Sequence, residues 1–428
     1  MKTTIAFFRR GAAALCALLF LAAAFCLRIN ASAADGAAPD TAGDSAASLV
    51  SERDASGEYD ASAAVTLAPG DDLTISEAGI YILSGSYENQ MLTVQAGDED
   101  KVQIVLNNAQ IANADGPAIL VRSADKVFLT AAAGSENSIS DGCGYTLNEG
   151  DTAVDAAVFS KADLTVNGSG SLSVTGNTKH AVVSKDDLVV TAKNLIVSSA
   201  ASALTGKDAV TLLDASVSIQ AGSDGLHSEG TVTVLGGSLS VQCGDDAVHA
   251  DGKADIAGGT VTLHAAEGIE ATYVLIRSGD ISIQASDDGI NAAYKSDAYT
   301  PTVEITGGNL TVTMGAGDTD GIDSNGNLII SGGTVSVTGS SAFDFDGSVS
   351  FTGGTVTVNG QQVTELTSQF MGGRGGMGGM GGQGGHGSFG TPPDMSGDIP
   401  ADFGGQPPSG FHGPHGGQGG PGSFGEAS

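Results

Sequence analysis

The sequence predicts an all-β protein: a right-handed, single-stranded parallel β-helix with an N-terminal cap and a disordered glycine-rich tail. Three observations predict it. Between Val65 and Gly360 the chain is dense in Val, Ile, Leu, Thr and Ser and almost free of helix signals. Units of roughly 20–30 residues recur there on one plan: short strand, turn, strand, Gly-Gly turn, strand. Within the strands the aliphatics sit two apart, as in Val232/Val234, Leu239/Val241, Val261/Leu263, Ile281/Ile283, Val335/Val337 and Val356/Val358. Such pairs point to one face and leave Thr and Ser on the other.

The units from Gly222 onward are the clearest. GSDGLHSEGTVTVLGGSLSVQC is followed by GDDAVHADGKADIAGGTVTLHA, then by four further copies ending in SSAFDFDGSVSFTGGTVTVNG. Gly236-Gly237, Gly258-Gly259, Gly307-Gly308, Gly332-Gly333 and Gly353-Gly354 supply the positive φ that a tight corner needs. Three short strands per unit, aliphatics inward, make one coil that buries its apolar face only by stacking on the next. Roughly 13 coils at ~4.8 Å spacing are expected, a rod of ~60 Å. The alternatives are a β-sandwich, which has no reason to repeat one polar hexad, and a propeller, whose blades need four strands and ~40 residues.

The elements follow in chain order. Residues 1–33 carry Lys2, Arg9 and Arg10, an apolar run and Ala31-Ser32-Ala33, the pattern of a secretory signal peptide; a membrane anchor is the alternative, with a run short for a span. Residues 34–64, rich in Ala, Ser, Asp and Gly, read as a flexible linker. Residues 65–365 form the β-helix. Its first stretch, from VTLAPGDDLTI onward, reads as an atypical capping layer, which a solenoid needs to stop edge pairing. Residues 366–428 are Gly, Met and Pro-rich, a composition that buries no core. An exported monomer, secreted or held at the cell surface and not inserted in a membrane, is the expectation.

The formal charge is −32. Removing residues 1–33 takes away Lys2, Arg9, Arg10 and Arg28 and no acid, which makes it −36. Such a chain does not bind nucleic acid by phosphate neutralisation. It also repels an acidic polymer unless something positive lies between them. Cys143 and Cys243 fall several coils apart, beyond the ~7 Å reach of a disulfide, and are expected as free thiols.

Aligned on their short first strands, the coils show an acid column: Asp224, Asp246, Glu267, Asp288 and Asp320. Three residues on lies a second polar column: His227, His249, Glu270, Asn291, Asp323 and Asp344. Asp245 and Asp287 add acids just before the first. Stacked carboxylates ~4.8 Å apart repel by about 0.9 kcal/mol in water and roughly 3.5 kcal/mol at an effective dielectric of 20. Either several are protonated or cations sit among them. Calcium suits the geometry, since 6–8 oxygens at ~2.3–2.6 Å can come from neighbouring coils. The plainer alternative is that these acids only make turns, which Asp and Asn favour. No EF-hand pattern is present. His227 and His249 are read as polar groups facing solvent or a sugar hydroxyl, with transition-metal binding as the alternative. His180 carries no mark of a ligand.

The hexads DGLHSE, DDAVHA, DDGINA and DGIDSN, the strings SKDDL from Ser184 and GKDAV from Gly206, and the segment DKVQIVLNNAQIANADGPAILVRSADKVFLTAAAGSENSISDG resemble the carbohydrate-binding parallel β-helix proteins of clostridia and related Firmicutes. The resemblance covers about residues 65–360, and a Gly/Met-rich tail is typical of that family too. It implies a fold similar to pectate lyases, calcium between coils, and binding of acidic plant polysaccharide such as polygalacturonate, or of cellulose, without a clear need for cleavage. Carried onto this chain, the metal ligands fall among Asp224, Asp245, Asp246, Glu267, Asp287, Asp288, Asp320 and Asp323. The ladder itself adds Glu270 as a candidate ligand and His227, His249, Asn291 and Lys295 as candidate sugar contacts. Ser341, where the column would continue with an acid, and the acid-poor coils before Ser223 depart from the pattern and put the sites mid-rod.

Binding through shared calcium is one expectation; a calcium-dependent polysaccharide lyase and a calcium-stabilised adhesion rod are the others. A lyase needs a base of depressed pKa. Lys253, Arg277 and Lys295 are the candidates, Lys295 the best placed, yet so many acids should raise its pKa. An aromatic sugar platform is thin: there is no Trp, and only Tyr273, Tyr294 and Tyr299 lie near.

Overall fold

The computed structural model describes residues 49–368 apart from 71–72, 146–152 and 318. The chain divides into two units, Met1–Gly372 and Gly373–Ser428, of which the second lies outside the described residues. So do the signal segment 1–33, linker residues 34–48 and the tail from residue 369.

The described chain is a parallel β-solenoid of about 12 turns. Each turn contributes to three parallel sheets. Sheet I runs from Thr74–Ile75 through His180–Ser184, Leu204–Gly206 and Leu226–Ser228 to Ser341–Phe345. Sheet II runs from Val65–Leu67 to Val349–Phe351. Sheet III ends in Thr355–Val358. The coil Asp246–Ala265 passes unbroken through all three, pairing ahead through Asp246–Ala250, Lys253–Ile256 and Thr260–Ala265. Thr355–Val358 also pairs antiparallel with Gln361–Val363, which folds back over the last edge.

The interior is aliphatic. Val232, Val234, Leu239, Val241, Val261, Leu263, Ile281, Ile283, Val335, Val337 and Val356 are all buried, as their alternation requires. Val358 is only partly buried, because no further parallel coil lies above it. The second glycine of each pair takes positive φ, for example +79° at Gly237 and +92° at Gly259. At the corner between sheets II and III a Cβ on Gly237 would lie 2.0 Å from the Ala215 carbonyl oxygen. The coil count is slightly below the 13 expected, since the coil joining Asn291 to Asp323 carries a long excursion around Tyr294–Pro301.

Two features of the outer surface depart from expectation. The sequence assigns residues 34–64 to a linker, but Glu52–Ser56 form a short helix, α1, closed at its start by a Ser51–Asp54 capping box and at its end by Gly57 at φ +62°. Asp54 is 2% exposed. Its carboxylate meets Lys126 Nζ at 2.9 Å and accepts from Thr165, while its carbonyl accepts from Asn167 and Thr191. The Arg53 guanidinium lies over the Phe128 ring at 4.3 Å. This segment is therefore fastened to the outside of sheet II. On the outside of sheet I, Leu120, Phe159 and Val183 cluster with Val154 and Ala156, and Met91 and Tyr145 pack against them. Here the early coils are apolar outside as well as inside.

Cys143 and Cys243 are free. Burial pushes the Cys243 thiol up to about 12. Among the described residues, no helix is long and apolar enough to cross a membrane.

Candidate functional site

The spacing of acid, small residue, aliphatic and polar group has a steric origin. A Cβ on Gly225, Gly268, Gly289 or Gly321 would fall 2.3–2.4 Å from Val241, Ile283, Val312 or Val337 of sheet III. The small residue therefore faces inward. So does the next one, for Leu226, Val248, Ile269, Ile290 and Ile322 are fully buried. Two successive inward residues bring the groups on either side onto one outer face, at i and i+3. Gly is required where an aliphatic from sheet III presses on the corner.

The ladder holds the register read from the sequence. Asp246 pairs with Glu267, and Asp320 with Ser341. His227 pairs with His249, His249 with Glu270, Glu270 with Asn291, Asn291 with Asp323, and Asp323 with Asp344. Asp224 and Asp288 occupy the same first column by continuation of these pairings. Asp245 and Asp287 stand one residue earlier, exposed at the turn into sheet I.

The columns divide into two parts of different charge. In the N-terminal part each column acid has a nitrogen partner. His227 Nδ1 lies 2.9 Å from Asp224 Oδ2, and Ser202 donates to the same carboxylate. Burial opposes ionisation of Asp224, but His227 and Ser202 outweigh it and hold the group below the usual range. His249 Nδ1 lies 2.7 Å from Asp246 and 2.9 Å from Glu270, and its Nε2 lies 3.2 Å from Asp251. Burial disfavours the imidazolium, yet the two carboxylates on Nδ1 raise it to about 10. Burial lifts Asp246 to about 6, tempered by His249. Glu270 is also lifted by burial, but His249 and Lys295, whose Nζ is 2.8 Å away, bring it down to about 2. The two imidazoles stack, with centroids 4.8 Å apart and planes 8° from parallel.

The C-terminal part contains Glu267, Asp288, Asp320, Asp323 and Asp344. Its neutral partners are Asn291, which donates to Glu267 at 3.1 Å, the backbone N–H of Asp320, which donates to Asp288 at 3.1 Å, and Ser368, which donates to Asp344 at 2.6 Å. Burial, with Glu270 and Asp246 nearby, raises Glu267 to about 8. Burial and the neighbouring Asp287 and Asp320 charges raise Asp288 to about 6. Burial with Asp288 and Asp344 raises Asp323 to about 7. Two oxygens here, Asn291 Oδ1 and Ser341 Oγ, are buried without a hydrogen-bond partner. The donor set is thus hard oxygen throughout, which fits calcium and not a soft metal. Among the described residues two groups bring three ligand atoms within 4.8 Å of one another: Asp246, His249 and Glu270, where the imidazolium already supplies the positive charge, and Asp163, Asp186 and Asp187 beside sheet II; the C-terminal acids are more widely spaced.

Several expectations change in detail. His249 is largely shielded from solvent: its side chain is 12% exposed and both nitrogens are engaged by carboxylates. Lys295 is bound to Glu270, which outweighs burial and raises its pKa, as the surrounding acids suggested. Lys253 and Arg277 pair with Asp255 on sheet II, away from the ladder. Asn291 lies in the ladder between Glu270 and Asp323. His180, unmarked in the sequence, belongs to the first column, below Ser202, by continuation of the Val182–Leu204 pairing. The acid-poor string around it hid this. Tyr294 is 71% exposed next to Lys295.

Fold and face together define a parallel β-solenoid that carries charged side chains in stacked columns along one outer sheet. A family model described as "Carbohydrate-binding domain-containing protein" matches residues 69–318 and 267–362, and the chain belongs to that family. A curated relative from Acetivibrio thermocellus, with the same description, is 29% identical over 129 residues, 30% of this chain. The match spans 45% of that relative's length. A solved structure of the polysaccharide lyase-like protein from C. thermocellum, as a gadolinium derivative, aligns over 70% of this chain and 94% of its own, with 22% identity and a TM-score of 0.31.

Proposed function

We propose that the protein is an exported binder of acidic plant polysaccharide, polygalacturonate or a pectin-like polymer, and that it binds through calcium without cutting the chain. The observation that carries this reading is the division of the ladder. Asp224, Asp246 and Glu270 are paired with His227, His249 and Lys295, whereas the partners of Glu267, Asp288 and Asp344 are the neutral Asn291, Asp320 N–H and Ser368, with Asp320 and Asp323 stacked between them. A divalent cation held by these carboxylates, with Asn291 Oδ1 and Ser341 Oγ as further oxygens, would relieve their repulsion and present positive charge to a uronate. An extended solenoid face matches a linear polymer. Export rests on the pattern of residues 1–33.

Binding is favoured over lyase chemistry because Lys295, the best-placed base, is held protonated by Glu270. Retention of the mature protein on polygalacturonate, in calcium and in chelator, tests the reading. Calcium should strengthen retention at least tenfold in the native protein and not in Asp288→Asn/Asp323→Asn. Equal retention in both media would overturn it. Absorbance of an unsaturated product at alkaline pH should stay flat; a rise abolished by Lys295→Ala would make the protein a lyase.

A further inference from the structure

The strings SKADL, SKDDL and GKDAV recur where the chain leaves sheet I for sheet II. Their lysines stack. Lys161 N–H donates to the Val121 carbonyl, Lys185 N–H to Ser160 and Lys207 N–H to Ser184, so Arg122, Lys161, Lys185 and Lys207 form a column on successive coils. The column turns acidic one coil later, at Glu229 and then Asp251, by continuation of the Ser228–Ala250 pairing. The whole chain has 17 Lys and Arg against 49 acids, and four of the 17 lie in this line. Like charges ~4.8 Å apart repel here as they do in the acid ladder. Among the described residues Lys161 and Lys185 form no ion pair, and Lys207 reaches only the exposed Asp208, at 3.5 Å. Beside the column lies a cavity of about 190 Å³ whose wall holds Lys185, Lys207, His180 and Thr205, with Glu229 at one side and Lys179 paired to Asp155 at 2.7 Å. Two polar atoms in its wall, His180 Nδ1 and Thr205 Oγ1, are buried without a partner.

We propose that this basic column and cavity form a metal-independent subsite for the carboxylate-bearing sugar units of the polymer. It extends the calcium-bearing track toward the N-terminal coils. Lys185 and Lys207 bind carboxylates as point charges, and His180 and Thr205 offer hydrogen bonds to the sugar. This rests on the reading above that the polymer is acidic, but not on calcium.

The test titrates metal-free mature protein, in chelator, with trigalacturonate and with its methyl ester. Trigalacturonate should bind, and added salt should weaken it. Lys185→Gln/Lys207→Gln should lose at least tenfold in affinity, with its melting temperature unchanged because both side chains are exposed; the single variants should each lose part. The ester should bind the native protein and the variant alike. No binding of trigalacturonate to metal-free protein, or binding that the substitutions leave unchanged, overturns the subsite. Loss of metal-free trigalacturonate binding in the lysine variant while its calcium-strengthened retention on polygalacturonate survives supports a subsite distinct from the calcium track.

Discussion

The Nδ1 of His249 lies 2.9 Å from the Glu270 carboxylate one coil further on, and the same nitrogen lies 2.7 Å from Asp246 in its own coil. One imidazolium thus joins two rungs that would otherwise repel. Replacing it with Ala leaves two buried carboxylates facing each other. The expected loss is about 3–5 kcal/mol, as for other broken buried pairs. Its pH course has a definite sign. The folded value, about 10, lies above the ordinary 6.5, so the stabilisation is complete below pH 6.5 and fades as pH rises toward 10. Melting curves of the native protein and His249→Ala should therefore converge at high pH; a constant gap would disprove the imidazolium.

The C-terminal acids give a second pH dependence. Glu267, Asp288 and Asp323 have folded values of about 8, 6 and 7, against ordinary values of 4.5, 3.8 and 3.8. Between about pH 4 and 8 the folded state binds more protons than the unfolded chain, so metal-free stability falls as pH rises through that window. Calcium should offset this by replacing the protons. Calorimetry should show a larger rise in Tm on adding calcium at pH 8 than at pH 5.

Asp54 is the anchor of α1. Asp54→Ala breaks the capping box and leaves Lys126 without its carboxylate. The expected cost is about 3 kcal/mol, the lower end for a buried pair because Lys126 keeps some contact with water. The Asp54 pKa lies below 3.8 even though burial raises it, since Ser51, Thr165 and Lys126 outweigh that effect. This contribution is therefore present above pH 3.8 and is lost as pH falls further. Limited proteolysis should release residues before Val65 from the variant faster than from the native chain.

Gly289→Ala tests the corner. The new Cβ would lie 2.4 Å from Val312 Cγ1 and 2.3 Å from the Gly321 carbonyl oxygen. Overpacking of this kind costs about 1–3 kcal/mol. The melting temperature should fall, while a Gly70→Ala control, with open space around its Cβ but positive φ, should lose only its backbone term.

The register of the ladder was legible because equal coils force equal positions to stack, and the repeated hexads showed the phase. The division of the ladder was not. That His249 serves Asp246, Glu270 and Asp251 together depends on rotamers and on a neighbour one coil away, which spacing alone does not specify. The lysine column was visible as recurring strings, but its alignment with Arg122 becomes clear only from the backbone pairing. The helix at Glu52–Ser56 is one turn long, and its capping box sits within an Ala/Ser/Asp-rich stretch whose composition points to a linker. The apolar outer face around Phe159 and Val183 reads in the sequence as ordinary strand core, because periodicity does not tell a strand covered on both sides from one that is not.

Each polar column advances by one step per coil, and one coil is the interval from His227 to His249. Tandem copying of that interval in the gene would lengthen every column by one position and add a matching layer of aliphatics beneath it. The reach of such a track can then grow or shrink by whole units, with no new turn to invent and no interior to redesign.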